Sequence, residues 1–462
     1  MKRTVTPYKR KISLSPVCGF NDEVGGENGG YRYADEMQNF RVERGRLVTG
    51  EGVKFLGSGF ITPNSAVERV YFYRRFDPVI GNDDRVVVYC LDKKLYECSV
   101  SGGTFTEIPN ISLNEAPEAE CYNFNGTDVI IFSKSDGGIY IYDGTYATAV
   151  NDAPIITSMC IHNERLFVTT GGADNALWFS DDFDPTNWNV SLTEAGFIDL
   201  NDFRGDMKRV VSFGDYLYVF RTFGITRITA YSDQRLFSAA NVFQSSGKIY
   251  EKSITVCGNC ILFMTADGLY RFDGVSATKI SGKISNHLVS EFDDVKGQYY
   301  NGYAYILVLT KLGGIPLRQV LRIDPKTSDA SFMTVSLKDL TLISSEKKYA
   351  LFGVVYGYSE ICEVTSECKF LDDNPKILWR NKDSDFGIPS VKTLTKVTLY
   401  VDKPIKLRVI ADGVKHEYAL DGSTLPTVVK PNIRGVKFCL EVEGTMGGTT
   451  VSEPTIETEY YL

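Results

Sequence analysis

Histidine is scarce in this sequence, which limits the chemistry that can be assigned to it. The 462 residues include three histidines, His162, His287 and His416, on unrelated segments. A Ser-His-Asp or Cys-His arrangement needs a base beside its nucleophile, and no such pair is indicated. His162 opens a predicted core strand, so we expect it to be packed rather than to bind a ligand. We predict that the protein is not an enzyme and has no catalytic, cofactor-binding or metal-binding residues.

Long apolar runs are also missing. The longest, such as YAYILVL at 303–309, are far shorter than the ~18 residues that span a bilayer. The basic start of the chain, MKRTVTPYKRKISLSPV, is not followed by the ~7–15 apolar residues of a secretory signal. We therefore expect no export and no membrane contact. The ten cysteines are then expected to be free thiols.

Complete ligand patterns are absent as well. Cys257 and Cys260 have metal-ligand spacing, but no second pair completes a zinc site, so we expect two thiols flanking a hairpin turn. Paired carboxylates could suggest glycoside hydrolysis. Adjacent aspartates are, however, more common in solvated turns, and this is our expectation for both pairs. The pairs are Asp293-Asp294 and Asp372-Asp373.

The acidic segment LWFSDDFDPTNWN, residues 177–189, is the sharpest candidate site. Adjacent Asp181 and Asp182 do not have the alternating spacing of an EF-hand loop. The order of polar residues is closer to a sialidase Asp-box, Ser-x-Asp-x-Gly-x-Thr-Trp, but Asp184 replaces the glycine and Trp188 comes one position late. We predict a structural loop with Trp188 packed over a strand. A bound cation and a catalytic carboxylate remain the alternatives.

Positive charge is limited. The formal net charge of -8 argues against a chain that coats nucleic acid by bulk charge. The local exception is the N-terminal segment. Its basic residues indicate either a solvated tail or an arm that docks on DNA or on an acidic neighbouring subunit. These residues are Lys2, Arg3, Lys9, Arg10 and Lys11.

The sequence does contain a short hydrophobic segment that recurs along the chain and predicts a β-strand. The copies are roughly 45 residues apart, which is the length of one four-stranded propeller blade. They are RVVVYC from Arg85, TDVIIF from Thr127, ERLFVTT from Glu164, DYLYVF from Asp215, NCILFMT from Asn259, YAYILVL from Tyr303 and KYALFGV from Lys348. We predict an all-β protein in which residues 59–372 form a β-propeller of six or seven blades. Residues 336–348 could hold one or two helical turns.

The two ends of the chain have other patterns. Strands of alternating polarity separated by Gly turns predict a C-terminal β-sandwich over residues 373–462. Residues 1–58 are expected to form an extended arm and a hairpin, the latter within MQNFRVERGRLVTGEGV, residues 37–53. A closed ring of blades has no free edge, so the arm and the sandwich are expected to be dispensable for closing the propeller.

Several of these phrases resemble those of one family of virion proteins. RLFVTTGGADNALWFSDDFDPTNWN at 165–189, MQNFRVERGRLVTGEGV, YRFDGV at 270–275 and KTLTKVTLYVDKPIKLRVIADG at 392–413 are similar to phrases of tailed-bacteriophage proteins. The whole resembles the packaged-DNA stabilisation, or tail-hub (nozzle-like), β-propeller proteins of short-tailed phages. The resemblance covers nearly the whole chain.

The resemblance implies a structural function. The chain would be a virion protein of the head-to-tail junction or tail hub. It would form a homo-oligomeric ring, expected to be a hexamer, which contacts portal or adaptor proteins and other tail proteins and helps to retain packaged DNA. Assembly would take place in the bacterial host cytoplasm, and viral DNA could pass through the ring.

Two other functions remain open. One is a carbohydrate-binding or sialidase-like propeller on a virion or cell surface, which would need several arginines converging on a sugar carboxylate. Four arginines crowd one blade region, namely Arg204, Arg209, Arg221 and Arg227. The other is an interaction scaffold in the cytoplasm, which would be a stable monomer.

Overall fold

Short strands joined by tight turns build almost the whole chain. The computed structural model describes residues 6–171, 174–231, 233–289, 295–311, 316–358, 360–445 and 447–461. The turns follow the sequence signals: Asn125 and Gly126 have φ values of 52° and 79°, as a two-residue type I′ hairpin turn requires. Short 3-10 helices span Gly30–Arg32, Gly57–Gly59, Gln234–Leu236, Glu251–Ser253, Ser281–Lys283 and Ser285–His287.

The first strands of the chain precede the propeller. They are β1 (Tyr8–Ser13), β2 (Ala34–Gln38), β3 (Phe40–Glu43), β4 (Arg46–Thr49), β5 (Gly52–Phe55) and β6 (Phe60–Ile61). Strands β3 and β4 pair antiparallel as a hairpin around Arg44 and Gly45.

Four four-stranded antiparallel sheets follow as blades 1 to 4. Blade 1 contains β7 (Val67–Tyr73), β10 (Arg85–Cys90), β11 (Leu95–Ser99) and β13 (Thr106–Glu107), with the short strands β8 (Phe76–Asp77), β9 (Gly81–Asn82) and β12 (Gly103–Thr104) in its connections. Blade 2 contains β14 (Ala119–Phe124), β15 (Thr127–Ser133), β16 (Ile139–Tyr142) and β17 (Ala147–Val150). Blade 3 contains β18 (Ser158–His162), β19 (Arg165–Thr169), β20 (Ala176–Phe179) and β21 (Gly196–Asp199). Blade 4 contains β22 (Met207–Phe213), β23 (Tyr216–Arg221), β24 (Gly224–Thr229) and β25 (Ser238–Gln244).

Three further sets of strands complete the ring. Blade 5 contains β26 (Thr255–Val256), β27 (Ile261–Thr265), β28 (Gly268–Phe272) and β29 (Ala277–Lys279). Blade 6 contains β30 (Gly297–Tyr300), β31 (Tyr303–Thr310), β32 (Leu317–Ile323) and β33 (Ala330–Met333). Blade 7 contains β34 (Leu337–Ser344), β35 (Tyr349–Val355), β36 (Ile361–Thr365) and the N-terminal β5.

The predicted β-propeller of six or seven blades is confirmed. Six blades are separate four-stranded sheets, and blade 6, the first part of a nine-stranded sheet, fills the remaining position between blades 5 and 7. Each of the seven recurring segments in the sequence is the second strand of its blade. Separate apolar clusters pack successive blades together, from blades 7 and 1 through to blades 4 and 5. Residues 336–348 contain no helical turn, because Leu337–Ser344 is the first strand of blade 7.

The appended C-terminal β-sandwich contains two sheets. Its later strands are β37 (Lys376–Asn381), β38 (Lys392–Val401), β39 (Ile405–Ala411), β40 (Val414–Leu420), β41 (Thr427–Val429), β42 (Ile433–Gly435), β43 (Phe438–Thr445) and β44 (Thr450–Tyr460). One sheet joins β38, β41, β42 and β44 to the N-terminal strands β1, β3 and β4. The other is the far half of the nine-stranded sheet, in the order β2-β37-β43-β39-β40.

The N-terminal residues that the structure describes, from residue 6 onward, do not project as an extended arm. Strand β1 pairs with β44 along its length, and Ile12, Leu14 and Val17 are buried in the core. The segment VGGENGG is folded against the sandwich, because Lys382 donates hydrogen bonds to the carbonyls of Asn21 and Val24. The expected N-terminal region of residues 1–58 is therefore distributed between the sandwich and the propeller.

A strand of the N-terminal region also belongs to the propeller. Strand β5 supplies the outermost strand of blade 7 by pairing antiparallel with β36. Strand β2 lies between β33 of blade 6 and β37 of the sandwich, so it joins the two domains in one continuous sheet. The expectation failed because blade 7 has only three strands in its own stretch of sequence, and its exposed edge is covered by a strand from the other end of the chain.

We predict that a charge introduced on the inner face of β5 opens this closure. Val53 is fully buried opposite Val364, so Val53→Asp should lower the free energy of unfolding by about 3 kcal/mol, because the new carboxylate has no partner there. Lys54→Ala, on the opposite face of the same strand, should change it by less than ~1 kcal/mol. Urea denaturation of both variants tests this, and equal losses would show that β5 does not close the ring.

Candidate functional site

The acidic loop at residues 177–189 leaves blade 3 after β20. One carboxylate oxygen of Asp181 accepts hydrogen bonds from the backbone N–H groups of the next residue, at 2.9 Å, and of Glu194, at 3.1 Å. Asp184 accepts from the backbone N–H and the hydroxyl of Thr186, at 2.9 and 2.6 Å. These oxygens therefore satisfy donors within the loop instead of converging on one point.

Arg165 anchors this loop to the neighbouring strand. Its guanidinium is buried and donates to the carbonyl oxygens of Ser180, at 3.2 Å, and Glu194, at 3.0 Å. A second nitrogen contacts the Glu194 carboxylate at 2.6 Å. Asp182 lies 3.8 Å from Arg165 with its side chain 44% exposed. The cluster thus holds the exit of β20 in place.

Trp188 ends the loop in the apolar cluster between blades 2 and 3. It is 4% exposed and shares this cluster with Ile139, Leu166 and Met159. Its indole N–H donates to the carbonyl of Pro185 at 3.0 Å. The side chain therefore packs over the blade, as the loop sequence predicts, and is not available as a sugar platform.

The cysteine pair lies at the hairpin turn between β26 and β27. Both thiols are buried, and the Cys257 N–H donates to the carbonyl of Cys260 across the turn at 2.7 Å. The interaction between the two thiols raises the pKa of Cys257 and lowers that of Cys260, which the Arg271 guanidinium also lowers. The Cys257 thiol donates to the Thr255 carbonyl at 3.4 Å. Within the described residues, no group of three His, Cys, Asp or Glu side chains could hold a metal ion.

The three histidines occupy separate places. His162 is buried, with Nδ1 2.9 Å from the Ser212 hydroxyl, and burial lowers its pKa. His287 lies in the 3-10 helix Ser285–His287, which follows blade 5, and is 3.5 Å from the Asp22 carboxylate. His416 is in strand β40 of the sandwich.

The remaining candidates are surface features. Asp373 takes part in a two-residue turn with Phe370, and Asp372 is exposed beside it. Lys9 forms an ion pair with Glu459 at 2.9 Å, so part of the basic segment is neutralised by the strand with which it pairs. Asp293, Asp294, Lys2 and Arg3 lie outside the described residues.

A cavity of about 780 Å³ lies on the axis of the ring. It is lined by the first strands of blades 1, 2, 4, 6 and 7 and by the connections before them. Sequence reasoning missed it, because its charged residues are far apart in the chain and meet only when the ring closes. They are Arg69, Arg74, Glu115, Glu118, Glu120, Arg209, Lys252 and Lys296.

One side of the cavity is neutralised by a buried carboxylate. Asp339 of blade 7 has no exposed side-chain surface, pairs with Lys296 and lies 3.3 Å from the Arg69 guanidinium. It also accepts the backbone N–H of Val70 at 2.8 Å. Burial lowers the pKa of Lys296, and Asp339 opposes that shift. The three charges form one structural unit that joins blades 7, 1 and 6.

The other side contains charges without close partners. Burial raises the pKa of Glu120 to about 7, Glu118 adds to this shift, and Arg209 opposes it. No carboxylate of the described chain lies within ion-pair distance of Arg209 or Lys252.

The arginines that the sequence groups together do not converge. Arg221 is buried against Asp202 and nearby carbonyls, and Arg204 pairs with the same aspartate. Arg227 stacks 4.6 Å above the Tyr216 ring. Only the fourth member of the group, Arg209, lines the cavity. The other two lining arginines are engaged, Arg69 by Asp339 and Arg74 by the Ser344 hydroxyl.

We predict that Trp188→Ala lowers the free energy of unfolding by about 3–5 kcal/mol, the usual cost of removing a buried aromatic side chain. Asp182→Ala should cost less than ~1 kcal/mol, since Asp182 is half-exposed and only 3.8 Å from its partner. Chemical denaturation of both variants gives the comparison. Small and equal losses would mean that the tryptophan does not hold blades 2 and 3 together.

We also predict a pH-dependent stabilisation by Glu120→Gln. The pKa of Glu120 is raised to about 7 in the folded chain from 4.5, so its ionisation destabilises the fold as the pH rises above about 4.5, fully above about 7. The variant should match the parent near pH 4.5 and be more stable near pH 8. Glu115→Gln, at an exposed lining position, is the control. A Glu120→Gln effect that does not change with pH would contradict this account.

Comparison with known proteins leaves the function open. No family model matches the sequence, and no curated protein matches it. Within the described residues, no helix is long and apolar enough to cross a membrane.

Several solved structures are similar to this chain at low identity. The match to BBS1N in complex with ARL6DN, soaked with lead, covers 67% of this chain and 94% of the matched chain. The identity is 11% and the TM-score is 0.44. The match to BamB from Moraxella catarrhalis covers 79% of this chain and 100% of the BamB chain, with 12% identity and a TM-score of 0.41. The match to PorZ, a surface component of the type-IX secretion system of Porphyromonas gingivalis, covers 78% of this chain and 46% of the PorZ chain. The identity is 10% and the TM-score is 0.42. None of these neighbours is a phage tail-hub protein, and at TM-scores below 0.5 they carry no conclusion about this chain.

Proposed function

We propose that this chain is a structural virion protein of a tailed bacteriophage, located at the head-to-tail junction or tail hub. It assembles with copies of itself into a ring, expected to be a hexamer, that connects tail components and helps to retain packaged DNA. The support from sequence is the set of phrases that resemble tail-hub proteins. The support from structure is the way the two domains are joined and the surface that they present.

The connection between the two domains suits a protein that must transmit mechanical force. Strand β1 is held by β44, β2 lies between the propeller and the sandwich, and β5 completes blade 7. A force applied to the sandwich is therefore transmitted to the ring through hydrogen-bonded strands rather than through a flexible linker. This is what a connector under the pressure of packaged DNA requires.

Exposed apolar side chains cluster on one face of the propeller, and the assembly proposal rests on them. Successive strands of an antiparallel blade alternate in direction, so the first-to-second and third-to-fourth connections of all blades lie on the same face. We call this the loop face. Its exposed large apolar residues are Phe76, Val79, Ile80, Tyr146, Phe183, Val190, Leu192, Tyr231, Leu236 and Val275.

These residues belong to five consecutive blades, 1 to 5, and among the described residues the opposite face carries fewer. Exposing apolar side chains to water is unfavourable, and a face that presents many of them is typical of a protein–protein contact. We assign the loop face to contacts with neighbouring subunits or with a portal or adaptor protein.

The DNA path of this proposal lies between subunits and not inside one propeller. The axial cavity of about 780 Å³ has the volume of about 26 water molecules, far too little for a duplex to thread through. A ring of several copies would surround a wider opening, and the net charge of -8 per chain would keep DNA from adhering to its wall.

We predict that charges on the loop face weaken assembly without unfolding the chain. Val79 is 89% and Ile80 66% exposed, so Val79→Asp combined with Ile80→Asp costs little in folding but places two like charges in each contact. Leu91→Asp, at a 68% exposed position on the opposite face of the same blade, is the control. Light scattering should give a large mass for the parent and the control and the monomer mass for the double variant. A monomeric parent chain would contradict the proposal.

A further inference from the structure

The axial cavity has an uneven distribution of charge that no contact among the residues described in the structure explains. On the side of blades 6, 7 and 1, Asp339 neutralises part of the charge of Lys296 and Arg69. On the side of blades 4 and 5, Arg209 and Lys252 face the cavity without any carboxylate of the described chain in ion-pair distance. Two cations held in a confined space attract an anion from solvent.

The two cations lie on adjacent elements. Arg209 is in β22, the first strand of blade 4, and this strand packs against the 3-10 helix Glu251–Ser253, which carries Lys252. An arginine contributes a planar fork that binds two oxygens of one group, and a lysine contributes a mobile ammonium that can approach a third. The pair is therefore suited to one compact group with several oxygens.

Blade 2 provides the facing wall. Glu118 and Glu120 approach from it, while the first strand of blade 3, between blade 2 and blade 4, contributes no described residue to the lining. The charge of Arg209 lowers the pKa of Glu120 without a direct hydrogen bond between the two side chains. Glu118 and Cys121 lie beside Glu120 on blade 2. The charged or titratable groups around Glu120 on other elements are Arg209, Lys252, Arg69, Lys296, Tyr71 and Cys160.

We propose that the axial cavity binds a small oxyanion, a carboxylate or a tetrahedral oxyanion, between Arg209 and Lys252. The neutral carboxyl group of Glu120 donates a hydrogen bond to this anion from the opposite wall, and its ionised form repels it. The cavity volume of about 780 Å³ leaves room for the organic part of a carboxylic acid or for ordered water. This proposal does not depend on the virion function, since it uses only residues inside one propeller.

The pH dependence follows from Glu120. Its pKa is raised to about 7, so the neutral form that favours binding falls from roughly nine-tenths near pH 6 to roughly one-tenth near pH 8. The apparent affinity should therefore fall about tenfold over this range. Sulfate and acetate are suitable probes, because neither changes its charge between these pH values.

Isothermal titration calorimetry of the full chain at constant ionic strength tests the proposal. Sulfate and acetate are titrated separately, and sodium chloride is the control for non-specific screening. We expect saturable binding of at least one probe near pH 6 that is about tenfold weaker near pH 8. Stronger binding of acetate would identify a carboxylate site, and stronger binding of sulfate a tetrahedral oxyanion site. No saturable binding of either probe would overturn the proposal.

Three variants assign the site. Arg209→Gln and Lys252→Gln should each weaken binding about tenfold or more, whereas Arg235→Gln, at an 87% exposed position outside the cavity, should not change it. Glu120→Gln should keep binding and lose its pH dependence, because the amide donates a hydrogen bond at both pH values. Circular dichroism verifies that each variant is folded. Equal affinities of the Arg209, Lys252 and Arg235 variants would place any bound anion elsewhere and refute the site.

Discussion

The pairing of β5 with β36 closes blade 7 with a strand from the N-terminal region of the chain. It joins residues that are about 310 positions apart and provides the last strand of blade 7. Closing so long a loop costs conformational entropy, which the burial of Val53 and the hydrogen bonds of the strand pair must offset. Once it forms, the first strands of all blades surround one axis. The cavity, the Asp339 ion cluster and the loop face all exist only in the closed ring.

The same N-terminal segment makes the sandwich part of this closure. Because β2 is hydrogen-bonded on one side to β33 and on the other to β37, the two domains share a sheet and cannot rotate freely against each other. Rigid joining is useful in a connector and unnecessary in a domain that only presents a binding surface. The proposed function therefore follows more from this join than from any cluster of reactive side chains. The axial cavity is a separate feature, whose charges can serve binding in any of the functions considered.

Local pattern predicted the blades well, because each second strand is a short apolar run preceded by a turn with its own residue signature. Asn125-Gly126 and the strand after it show both. The pattern also placed Trp188 in a packed loop. It could not predict that β5 belongs to blade 7 or that β1 pairs with β44, because pairing between distant strands leaves no local periodicity. Arg209 and Lys252 were missed as partners for the same reason, since they are brought together only by blade packing.

We propose that several copies of this chain form a ring around an opening wider than the axial cavity of one propeller. Electron microscopy of the purified chain shows both the number of copies and the size of the opening. We expect rotationally symmetric rings, with six copies as the expected number, in which the loop faces or the sandwiches meet. Single propeller-sized particles at every concentration, with or without portal protein, would contradict it.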